Sequence, residues 1–138
     1  MEKIVESKNL VEKNLSKKNK LILIVDDCLD LLNLNKIILE MEGYEVFTAQ
    51  SGKEALAVLD KIAPPNLILL DMQMADLSGP DFLIKFEETR SELFKIVPVV
   101  FLSAQDKVPE SKAVGFIRKP IDVDDFLEAV QHFTRKAK

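Results

Sequence analysis

The sequence predicts an α/β fold, a doubly wound sheet of five parallel strands with helices on both faces. Three observations carry this. Apolar runs recur at Leu21–Val25, Leu67–Leu70 and Val99–Leu102, as expected of strands buried on both faces of a parallel sheet. Segments with helical periodicity alternate with them, the order of an α/β protein. Strand signals also end in polar residues: Asp26 and Asp27, Asp71, Ser103, and Lys119 after Phe116-Ile117-Arg118. Parallel sheets place ligand sites beyond the carboxyl ends of their strands, so these residues should meet at one edge.

The elements follow in order. Leu21–Val25 is the first strand. After Asp27, the residues Leu31, Leu34, Ile37, Ile38 and Met41 recur at helical spacing and define the expected inward face of the first helix. Gly43 stands where a glycine ends a helix. Tyr44–Thr48 is the second strand. Ser51 and Glu54 read as a capping box for a helix with Ala55, Leu56 and Leu59 inward. Pro64 and Pro65 separate it from the third strand, Leu67–Leu70. Gly79-Pro80 opens a third helix, with proline near its first position and Phe82, Leu83 and Phe86 inward. Val99–Leu102 and Phe116–Arg118 are the last strands. The final helix starts near Asp122 and buries Phe126, Leu127, Val130 and Phe133.

A chain of 138 residues fits one domain. The expected division is a polar N-terminal extension over residues 1–19 and a folded body over 20–138. Residues 1–20 hold six lysines and three glutamates, and the rest of the chain carries about −7. An acidic body argues against direct binding of nucleic acid. No apolar run is long enough to span a bilayer and the N-terminus lacks a signal-peptide pattern, so no membrane insertion is expected. The single cysteine, Cys28, cannot form an internal disulfide, which suits the cytoplasm.

Three carboxylates at one edge repel one another and favour a divalent cation. Oxygen donors alone suit Mg²⁺ over zinc. A lysine and a hydroxyl facing that cation suggest a phosphoryl group as the third partner. Asp26 and Asp27 could instead cap a helix, but a second adjacent acid exceeds what a cap needs. Cys28 reads as an incidental small residue, because two neighbouring acids do not favour a thiolate. His132, beside Arg135 and Lys136, reads as a surface residue and not as a catalytic base.

With Asp26-Asp27, Asp71, Ser103 and Lys119-Pro120 in this order, the chain resembles the receiver domain of bacterial two-component response regulators, the CheY-like superfamily, in its single-domain type. The resemblance covers roughly residues 20 to 136 and implies the strand order 2-1-3-4-5. It implies that Asp71 is the phosphoacceptor. Mg²⁺ would be held by Asp27 directly, by Asp26 mainly through water, by Asp71, and by the backbone carbonyl of Gln73. Lys119 would pair with a phosphoryl oxygen. Ser103 would bond another and act with Phe116 as the switch. The Lys119-Pro120 bond would be cis. Gln73 and Gln105 occupy positions that tune phosphate lifetime in the family.

Three departures from the family pattern stand out. Ala75 replaces a usual proline, which should loosen the loop without touching the chemistry. Phe116 stands where tyrosine is frequent. Residues 104–115 are more than a helical turn shorter than usual, carry Pro109 and show no apolar stripe. The fourth helix of the family should therefore be short or missing. In residues 1–19, Ile4, Val5, Leu10, Val11 and Leu15 could line a narrow helical stripe, or the segment could be a polar arm.

The function expected is a stand-alone receiver. It would accept a phosphoryl group from a histidine kinase or phosphotransfer protein onto Asp71 with Mg²⁺, and signal to a downstream protein target. A monomer or weak homodimer is expected, with no enzymatic activity beyond its own phosphorylation and dephosphorylation. The alternative is a degenerate receiver that serves as an interaction scaffold. A phosphohydrolase with an aspartyl nucleophile fits poorly. Such enzymes carry D-x-D after the first strand and a cap domain, whereas Asp26-Asp27-Cys28 breaks the spacing and leaves no length for a cap.

Overall fold

In the computed structural model, residues 20–105 and 110–135 are described. The order is β1 (Leu21–Val25), α1 (Leu29–Met41), β2 (Glu45–Ala49), α2 (Gly52–Leu59), β3 (Leu67–Asp71), α3 (Gly79–Thr89), α4 (Ser91–Ile96), β4 (Val99–Ser103), β5 (Gly115–Arg118) and α5 (Val123–Arg135). The strands form one parallel sheet in the order β2-β1-β3-β4-β5. The expected extension over residues 1–19, with its apolar stripe, lies outside the described residues. No helix among the described residues is long and apolar enough to cross a membrane.

Alternation along the strands builds two cores. Leu23, Val25, Ile68, Leu70, Val99 and Phe101 face α2, α3 and α4, where Leu56, Phe82, Phe86 and Phe94 pack on them. Ile22, Ile24, Leu67, Leu69, Val100 and Leu102 face Leu32 and Leu39 of α1 and Phe126 and Val130 of α5. Strands β1, β3 and β4 are buried along their whole length, which is why each reads as an unbroken apolar run.

The helices differ from expectation in three places. First, α1 is rotated. Leu32, Asn35 and Leu39 face the sheet and Ile38 packs beside them, whereas Leu34, Ile37 and Met41 are 53%, 54% and 82% exposed and Leu31 also faces out. Two apolar stripes compete on this helix, and the richer one points to solvent. The phase is set where the helix begins: Asp26 Oδ1 accepts from Cys28 N at 2.9 Å, and Leu32 N donates to Cys28 O at 3.0 Å. Second, Ser51 Oγ accepts from Glu54 N at 3.0 Å as a cap should. Glu54 reaches back to Gln50 N, at 3.1 Å, one residue before the cap itself. Third, a short α4 follows α3 after a break at Arg90, which has extended φ of −144°. The Arg90 guanidinium makes a two-pronged bond to Asp60 at the end of α2, at 2.8 and 2.6 Å.

None of the described residues between β4 and β5 is helical, in line with the short connection. Residues 106–109, with Val108 and Pro109, lie outside the described residues. The returning segment is pinned by Lys112 Nζ to Glu87 Oε2 at 2.6 Å and by Val114 N to Val99 O at 2.9 Å. Ala113 packs against the core, while Val114 is exposed. Phe94 of α4 is buried on the same face. An apolar cleft of about 190 Å³, lined by Leu83, Ile84, Phe94 and Lys112 among others, remains between them.

The turn after β3 depends on a close approach. Gly79 N donates to Met72 O at 2.8 Å, and a Cβ on Gly79 would lie 2.7 Å from the Phe101 ring and 3.0 Å from Met72 Cα. Alanine is the better helix former but cannot fit without moving backbone. Gly79→Ala should therefore destabilise the fold by about 1–3 kcal/mol, read as a fall in melting temperature. An unchanged melting curve would contradict this packing.

Candidate functional site

The sheet register assembles the site. Val25 of β1 pairs with Leu70 of β3, so the next residues, Asp26 and Asp71, lie side by side. Ser103 of β4 pairs with Arg118 of β5, so Lys119 comes one step beyond the hydroxyl. One carboxylate oxygen each from Asp26, Asp27 and Asp71 falls within 4.8 Å of the others. Lys119 Nζ donates to Asp71 Oδ1 at 3.2 Å and stands 3.7 Å from Asp26 Oδ2. The Lys119-Pro120 bond is cis.

Each carboxylate is held differently. Asp26 is fully buried; its Oδ1 takes the Cys28 N–H, and its Oδ2 is buried without a hydrogen bond. Asp27 is exposed and its Oδ2 accepts from Ala75 N at 3.0 Å. Asp71 is 8% exposed and its Oδ1 also receives a longer bond from Gln73 N, at 3.4 Å. Ser103 is buried, with its Oγ accepting from Gln105 N at 3.0 Å. A cleft of about 310 Å³ opens beside Asp71 and is lined by Gln73, Ser103, Gln105 and Lys119.

Three carboxylates against one ammonium leave excess negative charge in a partly dry site. The buried Asp26 Oδ2 has a charge and no donor. Both features fit a divalent cation bound through oxygen. The Asp26 carboxyl is held above its ordinary range, chiefly by burial; Asp71 and Asp27 add to this, while the Cys28 N–H and Lys119 oppose it.

Asp26, Asp27, Asp71, Ser103 and Lys119 thus come together, and Gln73 lines the same cleft. Phe116 does not join them. It lies on the edge strand β5, 44% exposed. Two contributions escaped sequence reasoning. Asp76 bonds the first backbone N–H groups of α2, Gly52 at 3.1 Å and Lys53 at 3.0 Å. Burial pushes its carboxyl up, but the backbone N–H groups of Lys53, Gly52, Leu77 and Asp76 itself together hold it below the ordinary range. Ala75 was expected to leave the chemistry untouched. Its N–H ties the loop to the Asp27 carboxylate, a bond that proline, having no N–H, could not make.

Comparison with known proteins places this arrangement. The response regulator receiver domain family matches residues 22–131. The chain belongs to that family. This receiver is 32% identical over 118 residues to sporulation initiation phosphotransferase F of Bacillus subtilis, covering 83% of this chain and 94% of that protein. It is 31% identical over 122 residues to the transcriptional regulatory protein TrcR of Mycobacterium tuberculosis, covering 84% of this chain but spanning only 46% of that protein. The response regulator TrrA of Thermotoga maritima, solved in complex with Mg²⁺ and BeF, superimposes with a TM-score of 0.70 at 27% identity, over 83% of this chain and 98% of that one. Receiver domains serve phosphorylation-based two-component signalling and bind Mg²⁺ at an acidic pocket; this receiver carries an acidic cluster of Asp26, Asp27 and Asp71.

The electrostatics yield a prediction with a definite sign. A carboxyl whose folded pKa is raised stabilises the fold fully only below its unfolded value, and that contribution is lost as pH rises through the folded value. Asp26→Asn removes the buried charge and keeps an acceptor for Cys28 N. In metal-free buffer at neutral pH it should melt a few degrees higher than wild type. The gain should shrink as the pH falls toward the ordinary carboxyl range. A variant that melts lower at neutral pH would show that Asp26 ionisation is not a cost to the fold.

Proposed function

We propose that this receiver accepts a phosphoryl group on Asp71 from a histidine kinase or phosphotransfer protein. The observation that carries the reading is the Asp71 carboxylate between an ammonium at 3.2 Å and two further carboxylates within 4.8 Å. In the transfer, an Asp71 oxygen forms a bond to phosphorus as the donor's phosphorus–nitrogen bond breaks. A carboxylate is a weak nucleophile, so alignment and charge neutralisation must supply the rate.

Lys119 reaches the cleft beside Asp71 and would pair with a phosphoryl oxygen there. Ser103 Oγ, which accepts from Gln105 N, would donate a hydrogen bond to another phosphoryl oxygen, a contact that exists only after transfer. Asp26, Asp27, Asp71 and the Gln73 carbonyl would hold Mg²⁺, with Asp26 acting mainly through water. When bound, Mg²⁺ supplies positive charge against the phosphoryl oxygens. Asp27 is positioned for this by Ala75 N, and Asp26 by Cys28 N.

The phosphoryl group would then bias a surface read by a downstream protein. Phe116, exposed on β5 three positions before Lys119, would be part of that surface. The receiver would work in the cytoplasm as a stand-alone switch, as a monomer or weak homodimer.

A small phosphodonor with Mg²⁺ tests the acceptor. The intact chain should gain one phosphoryl group that survives acid and is lost in base, and Asp71→Asn should gain none. Full labelling of the variant would place the acceptor elsewhere. No labelling of the wild-type chain would favour the scaffold reading.

Isothermal titration tests the ligand roles. Asp27→Ala should lose Mg²⁺ binding, whereas Asp26→Ala should weaken it less. Unchanged affinity in Asp27→Ala would remove Asp27 from the ligand set.

A further inference from the structure

The outward face of α1 is apolar, and the described residues leave it open. Leu34, Ile37 and Met41 stand away from the sheet, each more than half exposed, while Leu32, Asn35 and Leu39 face it. Together with the exposed Asp30 they are spaced four, three and four residues apart. That spacing is the seam by which one helix packs along another. Single exposed apolar residues are ordinary; three in register along the last two turns of a helix are not.

Residues 1–19 carry the same spacing. Ile4, Lys8, Val11 and Leu15 are also four, three and four apart. We propose that residues 4–15 form a helix that packs along the outward face of α1 and parallel to it. Ile4 then lies beside Asp30, Lys8 beside Leu34, Val11 beside Ile37 and Leu15 beside Met41.

The direction follows from where the segment enters the fold. Lys20 is fixed at the amino edge of the sheet, with its carbonyl accepting from Glu45 N at 3.0 Å and its Nζ donating to Thr134 O at 2.9 Å. The C-terminal end of α1 lies at the same edge, since Tyr44 N donates to Leu39 O at 3.2 Å and Glu45 pairs with Leu21. A segment that ends there must finish beside Met41 and begin beside Asp30. Lengths agree. Twelve helical residues span about 18 Å against about 20 Å for α1, and the five residues after Leu15 can reach about 16 Å.

Charge agrees as well. Residues 1–19 hold five lysines against three glutamates, and α1 and the strand after it present Asp30 and Glu45, both exposed. Lys8 leans toward the start of its own helix, as helical side chains do, and that direction carries it toward Asp30. A helix this short is marginal alone in water, so the seam on α1 supplies what the segment lacks.

Cys28 provides the probe. It is the single cysteine of the chain, it is exposed, and it precedes α1 by one residue. A nitroxide on Cys28 of the full chain should broaden the backbone amide signals of residues 3–6 strongly and those of residues 15–18 little. Ile37→Asp in the same labelled chain should restore the signals of residues 3–6. Spin-labelled chain mixed with isotope-labelled, unmodified chain should produce no broadening. Signals of residues 3–6 that stay sharp, or broadening strongest at residues 15–18, would overturn the parallel packing. Broadening in the mixed sample would overturn it too, because the segment would then lie on a second copy.

Discussion

Three carboxylates within 4.8 Å of one another cost the folded chain free energy that the rest of the sheet must supply. Two like charges about 4 Å apart repel by about 4 kcal/mol even at an effective dielectric constant near 20. Lys119 offsets part of this, at 3.2 Å from Asp71 and 3.7 Å from Asp26. The remainder is carried by the buried strands, which fix the carboxylates at the edge whatever their repulsion. Much of the local geometry answers this constraint. Backbone N–H groups of Cys28, Gln73 and Ala75 each point at one of the three acids. The imbalance that remains is the kind that a divalent cation bound through oxygen would offset.

The loop beyond Asp71 connects this edge to the helices. Ala75 ties it to Asp27, Asp76 ties it to the start of α2, and Gly79 closes it against Met72 and Phe101. A change at Asp71 therefore meets a loop anchored at three points, to Asp27 after β1, to α2 and to β4. On the other flank the structure is thinner. Among the described residues, the connection from β4 to β5 is tied to α3 by an exposed ion pair, Lys112 with Glu87. Such pairs contribute little, about 0–1 kcal/mol. Phe94 on the additional helix α4 takes up part of the cover that a crossover helix would give.

The site was legible in the sequence because a parallel sheet turns strand ends into neighbours. Asp26, Asp71 and Ser103 each follow an apolar run, and that local pattern sufficed to bring them together. Strand identity was legible for the same reason. The phase of α1 was not. Its outward stripe is richer in leucine and isoleucine than its buried one, which includes the polar Asn35, and the choice is made by the turn at Asp26 and Cys28. The break at Arg90 answers to Asp60, 30 residues away, and the Asp76 clamp spans 24 residues. Neither leaves a local mark. The missing proline at Ala75 was visible, but its consequence lay in the N–H that alanine keeps and in a partner 48 residues distant.

The central claim is that the three acids, Lys119 and the Asp71 cleft act as one electrostatic unit that takes up a divalent cation. Titration of the full chain with Mg²⁺, followed by backbone amide resonances, tests it most directly. The account predicts saturable shifts concentrated at residues 26–28, 71–75, 103–105 and 119. Saturable shifts centred elsewhere on the acidic surface, or none at these residues, would contradict it.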